Sequence, residues 1–330
     1  MAELHIMIEG QMGLNWTRWQ RIVTAVEALG FDGLFRSDHL KNPNPEFEDA
    51  LELWTSLTYV AAQTRRITFG SLVTPITFRH PVWLAKMAAS VDDLSRGRFI
   101  FGIGAGWNRH EHETFGLPFP GDAERFARLE EALQIIRIMM TATEPTSFQG
   151  KYYQLDKALM LPRPHRPGGP PILIGGNGAK YTLPMVAKYA SEWNAVYMSA
   201  ENYRMTRRKL NGFLASEGRS PGQMKYSIMT GLYFAKNQGA LRKTLDKARQ
   251  NHPETRTLDD AELIKYVRQR GPLIGTPGQI TDQLGQLIES GAQRVMVQWL
   301  DLDDLNGLEV LAQQVLPKVR AMKPGTSTNI

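Results

Sequence analysis

A chain of 330 residues, 42% hydrophobic and 22% charged, has the make-up of a globular enzyme rather than a disordered segment. It contains no cysteine, which excludes disulfides, thiolate nucleophiles and thiolate metal ligands. The net charge of +6 is scattered without an aromatic-interleaved basic stripe, so no nucleic acid is expected and an anionic small ligand suits the charge better.

The first segment, Leu4 to Ile8, reads as a strand and is interrupted too soon by Glu9 and Gly10 to be a signal peptide. No run of about 18 apolar residues follows anywhere, so no membrane span is expected and the cytoplasm is the expected location. Trp16 to Leu29 carries Ile22, Val23, Val26 and Leu29 on one helical stripe, which Gly30 ends. Gly33 to Arg36 is a second strand, Ala50 to Gln63 a helix, Ile67 to Leu72 a third strand and Pro81 to Leu94 a third helix. Arg98 to Ile103 makes strand four, and Glu124 to Met140 a helix with apolar residues spaced by three and four.

From Thr141 to Pro171 prolines and glycines accumulate, which marks an insertion with a small hairpin around Gly150 to Tyr153. Ile172 to Ile174 is strand five, Gly178 to Tyr189 its helix, Trp193 to Tyr197 strand six, Asn202 to Ser216 its helix and Tyr226 to Phe234 strand seven. Residues 237 to 274 form a second insertion, polar with weak helical pattern, expected to lie over the mouth as a cap. Gly278 to Glu289, Arg294 to Gln298 and Leu305 to Val319 supply the last helix, strand eight and a closing helix. Eight strands alternating with helices predict an α/β fold, a (β/α)8 TIM barrel over residues 1–330 as one domain, with insertions after strands 4 and 7 (about 141–171 and 237–274).

In such barrels chemistry collects where strands run into βα loops. After strand two, Arg36-Ser37-Asp38-His39 sets a carboxylate beside an imidazole, which suits proton transfer near neutrality but equally suits a capped turn with a solvated histidine. After strand three, Ser71, Leu72 and Thr74-Pro75 lead to Arg79-His80-Pro81, either an apolar shelf for a planar ring or a plain strand stop and helix start. Gly102-Ile103-Gly104-Ala105-Gly106-Trp107 resembles a dinucleotide fingerprint, but Trp107 stands where a third small residue belongs, so a Rossmann site is rejected. Asn108, Arg109, His110 and Glu111 follow as polar candidates, without a trustworthy metal-ligand spacing. Gly175-Gly176-Asn177-Gly178 opens toward a helix, and reads either as a phosphate cradle or as an ordinary tight turn.

The order of these pieces resembles the luciferase-like monooxygenase superfamily, whose members use reduced FMN or the deazaflavin coenzyme F420. The resemblance is carried by Gly30-Phe31-Asp32-Gly33-Leu34 leading to Ser37-Asp38-His39, by Ser71 to Pro75 with Arg79-His80-Pro81, and by Ser95-Arg96-Gly97-Arg98 leading to Gly102 through Asn108 and Glu111. Phe115-Gly116, Pro171 to Gly176 and Ile274-Gly275-Thr276-Pro277 extend it over nearly the whole chain.

The resemblance implies a cofactor ring across the barrel mouth, with Asp38 and His39 handling protons or touching the ring. It implies cofactor contacts from Ser71, Leu72, Thr74, Gly106 and His110, a phosphate near Gly175, Gly176, Asn177 and Gly178, and a cis Ser71–Leu72 peptide bond. Trp107 is matched to a position where the family's sugar-phosphate dehydrogenases carry an acid, so that substrate is not implied. Arg36, Arg79, Arg163 and Arg166 suit the negative charges of F420, which is preferred over FMN. The expected activity is F420-dependent hydride transfer to or from a small organic substrate, with an FMNH2-dependent monooxygenase as the alternative. A non-catalytic flavin-binding protein and a metal-dependent hydrolase stand further back. A homodimer is expected, with Trp54, Leu57, Trp83 and Met87 as candidate packing residues.

Overall fold

The structure is a computed structural model that describes residues 1–43 and 47–325. Eight parallel strands form the barrel: β1 (Glu3–Ile8), β2 (Gly33–Arg36), β3 (Thr68–Ser71), β4 (Phe99–Gly104), β5 (Ile172–Gly175), β6 (Glu192–Val196), β7 (Lys225–Phe234) and β8 (Arg294–Gln298). Each pairs with its neighbour, and closure comes from β8 on β1 (Val295 opposite Leu4) and β7 on both β6 (Ile228 opposite Ala195) and β8 (Ile228 opposite Val295). The expected closed α/β barrel is therefore what the chain forms.

Side chains alternate across each strand with a period of two. Leu4, Ile6 and Ile8 of β1 face the outer helices, as do Phe99, Phe101 and Ile103 of β4. Met7, Phe35, Leu72, Ile100, Leu173, Met229 and Met296 meet inside the barrel. The helices around it are α1 (Trp16–Ala28), α2 (Leu53–Gln63), α3 (Pro81–Leu94), α4 (Arg109–Thr114), α5 (Asp122–Thr141), α6 (Thr182–Tyr189), α7 (Ala200–Ser216), α8 (Leu241–Asn251), α9 (Asp260–Gln269), α10 (Pro277–Glu289), α11 (Leu305–Gln314) and α12 (Leu316–Ala321). Trp54 and Leu57 are buried against the barrel and are not free for a partner, whereas Trp83 remains 65% exposed.

The insertion after strand 4 contains the expected antiparallel hairpin, Thr146–Gln149 on Gln154–Ala158. The insertion after strand 7 differs from expectation, for it holds two helices, α8 and α9, and a strand Leu273–Gly275 that pairs with Leu232–Phe234 at the end of β7. Its helical signal is weak because two apolar residues per helix suffice: Leu245 and Ala248, with Leu263 and Val267, enclose Ile274 in a small cluster of their own.

The lower half of the interior is polar. Arg294 donates from Nε to Glu3 at 2.7 Å and from a terminal nitrogen to Glu192 at 2.6 Å, and Lys225 reaches Glu3 at 2.5 Å. His5, fully buried, joins Glu3 through Nε2 at 3.1 Å. Burial, with Arg294 nearby, pushes the His5 imidazole down to about 4. Burial alone would raise the Glu3 carboxyl, but the hydrogen bond with His5 and the cations Arg294 and Lys225 hold it far below the carboxylate range.

Candidate active site

The strand ends at one mouth of the barrel carry the polar residues. Arg36 closes β2 but turns outward and is fully buried, donating to Ser56 Oγ at 2.5 Å and to the Glu52 and Leu51 carbonyls, 5.4 Å over the Trp19 ring. Burial lowers its guanidinium to about 10. Arg36 thus fastens the start of α2 and is no cofactor cation. Arg163 is spent on the Ala142 carbonyl and Arg166 on Asp92 at 2.5 Å, below the barrel, so of the four arginines only Arg79 stands at the mouth.

Asp38 is held on two sides. It accepts from Thr74 Oγ1 at 2.5 Å and from both terminal nitrogens of Arg79 at 2.5 and 3.3 Å, while Arg79 also donates to Glu52 at 2.9 Å. The carboxylate next to His39 in sequence is therefore engaged elsewhere, and a more distant one orients the imidazole. His39 Nδ1 lies 2.9 Å from Glu111 Oε2, and the other oxygen of Glu111 accepts from the backbone N–H groups of Leu40 and Lys41. Glu111 reaches this place because Asn108 caps α4, its Oδ1 accepting from the Glu111 N–H at 3.3 Å. Burial opposes protonation of His39, but the hydrogen bond and negative charge of Glu111 outweigh it and raise the imidazole above its ordinary value.

The shelf after β3 is built from the backbone upward. Ser71 Oγ donates to the Gly102 carbonyl at 2.7 Å and ties β3 to β4. A Cβ on Gly102 would lie 1.9 Å from the Ser71 carbonyl oxygen, so no larger residue fits. The non-proline cis peptide bond is Leu72–Val73, one residue beyond the expected Ser71–Leu72. It places Leu72 and Val73 in the upper interior cluster, an apolar floor beneath the mouth. Gly106, at φ 81°, turns the chain so that the exposed Trp107 stands edge-on to His39, ring centres 5.6 Å apart. His110 is occupied by Lys41 Nζ at 3.3 Å.

After β5 the helix begins at Thr182, four residues later than Gly178. Gly175, Gly176, Asn177 and Gly178 are therefore loop, and Gly176 (φ 125°) donates to the Asn194 carbonyl at 2.9 Å. The Asn177 amide bridges to Val196, donating to its carbonyl at 2.7 Å and accepting from its N–H at 3.0 Å. Among the described residues the backbone N–H groups of Asn177 and Gly178 meet no protein acceptor, which leaves a small donor cradle. The apolar floor, the Asp38 and His39 flank and this cradle fit a planar ring that carries a phosphate.

Beside the β2 loop, and reaching across to β6 and β8, lie residues that the sequence reading passed over. Glu9 accepts from Gln11 at 2.9 Å and from Gln298 at 2.5 Å, and Tyr197 donates to Gln298. Tyr197 has a left-handed backbone (φ 47°), and burial raises its phenol to about 12. A polar Gln298 at the end of an apolar strand was the available signal. Among the described residues no group of three or more histidines, aspartates and glutamates could hold a metal ion, and no helix is long and apolar enough to cross a membrane.

Residues 5–294 match the family described as luciferase-like monooxygenase. This chain belongs to the luciferase-like monooxygenase family. It is accordingly an oxidoreductase of the luciferase-like kind. It is 32% identical over 243 residues to an F420-dependent glucose-6-phosphate dehydrogenase of Nakamurella multipartita, a match covering 73% of this chain and 62% of that protein's length. A protein of the same name from Amycolatopsis mediterranei is 29% identical over 316 residues, covering 90% of this chain and 92% of that one. Solved structures share the fold. An F420-dependent secondary alcohol dehydrogenase, in complex with an F420–acetone adduct, gives a TM-score of 0.81 at 18% identity over 97% of this chain and 99% of that one. The oxygenating component of a Baeyer–Villiger monooxygenase from Pseudomonas putida, in complex with FMN, gives 0.78 at 18% identity over 98% and 100%.

Proposed function

We propose that this chain is a single catalytic unit that transfers a hydride between F420 and a small organic substrate. The observation that carries the reading is the pairing of His39 with the buried Glu111 at a mouth whose opposite rim is the donor cradle of Asn177 and Gly178. The F420 dependence of the relatives supports the choice of coenzyme.

Bound F420 supplies the carbon that gives or accepts the hydride. Leu72 and Val73 would form the face for its ring, Asp38 and Thr74 would lie at one edge, and Asn177 and Gly178 would hold the phosphate. His39 handles the proton. With Nδ1 committed to Glu111, Nε2 is the atom that gives a proton to the substrate heteroatom during reduction, or takes it during oxidation. Glu111 favours the imidazolium form, since its hydrogen bond and charge raise the imidazole.

A fold shared with an FMN-bound monooxygenase makes the FMNH2 and oxygen reaction the second reading. Titrating the full chain with F420 and with FMN, each oxidised and reduced, separates the two. Micromolar F420 binding with weak FMN binding is expected, and tight binding of FMN alone would overturn the choice. For assembly, the exposed Trp83 on α3 supports a homodimer formed through that helix; a monomer in sedimentation at micromolar concentration would exclude it.

A further inference from the structure

We infer that the substrate is a neutral, planar organic molecule that stacks on Trp107 beside His39. The inference rests on the proposed function and narrows it to a substrate class. Trp107 leaves 69% of its surface in solvent, although it is one of the largest apolar side chains in the molecule. It is not loose: Gly106 at φ 81° sets its direction, Arg125 Nε donates to the Gly106 carbonyl at 3.3 Å, and the Asn108 cap starts α4 immediately after it. Its ring stands at 79° to the His39 ring. An indole held in place, exposed, and adjacent to the proton-handling imidazole is an apolar wall awaiting a flat partner.

The cations around His39 point the same way, because none of them is left open to a ligand. Arg79 is shared between Asp38 and Glu52, Lys41 Nζ lies against His110 and 4.8 Å from the Phe47 ring centre, and Glu111 is filled by His39 and two backbone N–H groups. Lys41 is the one cation of this group without a carboxylate, and it is buried at 5% exposure under His110 and Phe47. An anionic substrate would have to uncover Lys41 or draw Arg79 away from its carboxylates.

The chemistry that suits such a molecule is reduction of an electron-poor conjugated system. The bound reduced deazaflavin would supply the hydride, its C–H bond breaking as a C–H bond forms on the substrate; in a quinone, tautomerisation would then move that hydrogen to oxygen as a proton. The displaced electron pair moves to the conjugated oxygen, which takes the His39 Nε2 proton; the substrate gains two electrons and the coenzyme loses two.

The test uses the full chain with reduced F420 and menadione as the neutral planar probe, and with oxidised F420 and glucose 6-phosphate as the anionic one. Menadione is expected to turn over, Trp107→Ala to raise its KM about tenfold with kcat nearly unchanged, and Trp107→Phe to restore KM to within about threefold. Menadione alone should quench the protein's tryptophan fluorescence, and less so in Trp107→Phe. F420 affinity, read from the coenzyme's own fluorescence, should be the same in all three proteins. Turnover of glucose 6-phosphate with menadione inert, or an unchanged KM in Trp107→Ala, overturns the inference. Loss of F420 binding in the unmodified chain would instead sink the proposed function, and the quenching comparison would still decide the role of Trp107.

Discussion

Glu111 and His39 are 72 residues apart in sequence and 2.9 Å apart in the fold. The topology explains it, since β2 and β4 flank β3 and their loops emerge on the same rim. Glu111→Gln keeps an acceptor but removes the charge that raises His39. The pH above which proton donation fails should therefore move down, read from the pH profile of kcat.

The same pair has a stability consequence. A histidine whose folded value is raised contributes stability that is fully present below about pH 6.5 and is lost as pH rises through the folded value. Wild-type protein should lose a little thermal stability on passing upward through that window, and Glu111→Ala should lose the dependence. Because Glu111→Ala also strands the Leu40 and Lys41 N–H groups, it should cost about 2–4 kcal/mol in denaturant unfolding.

His39→Asn removes the proton carrier while keeping a polar side chain of similar size. Turnover should fall by roughly 10² to 10⁴ with F420 affinity nearly unchanged. An equal loss of coenzyme binding would make His39 a ring contact instead.

Asn177→Ala severs both bonds to Val196 and loosens the cradle. Affinity for F420 should drop about tenfold, with a stability loss of about 1–2 kcal/mol. If affinity is unchanged while stability falls, the phosphate lies elsewhere.

Acid should unfold the protein through the base of the barrel. His5 is depressed to about 4 and Glu3 is depressed as well, so the unfolded chain binds protons first as pH falls. Stability is fully present above about pH 6.5 and is lost progressively below it, first through His5 and then through Glu3. His5→Gln should flatten the decline of Tm between pH 6.5 and pH 4, as followed by circular dichroism.

The barrel was legible because strand ends, glycines and helical stripes alternate strictly along the chain. Asp38, His39, Thr74 and the glycine loop could be named as candidates, because the rule that function follows the strands names positions. Their partners were not. Asp38 is adjacent to His39 in sequence but turns to Thr74 and Arg79, and nothing local reveals that Glu111 takes its place. Arg36 looked like a ligand cation because strand-end charge is visible in sequence, whereas the direction of its side chain, outward onto Trp19, depends on packing. The cap helices were hidden because their buried stripes are only two residues wide.

The short strand Leu273–Gly275 ties the cap to the barrel through the last three residues of β7. The insertion and β7 therefore share one backbone ladder. Deuterium uptake over residues 232–234 and 273–275 would report, without any chromophore or turnover, how firmly the insertion is held to the barrel.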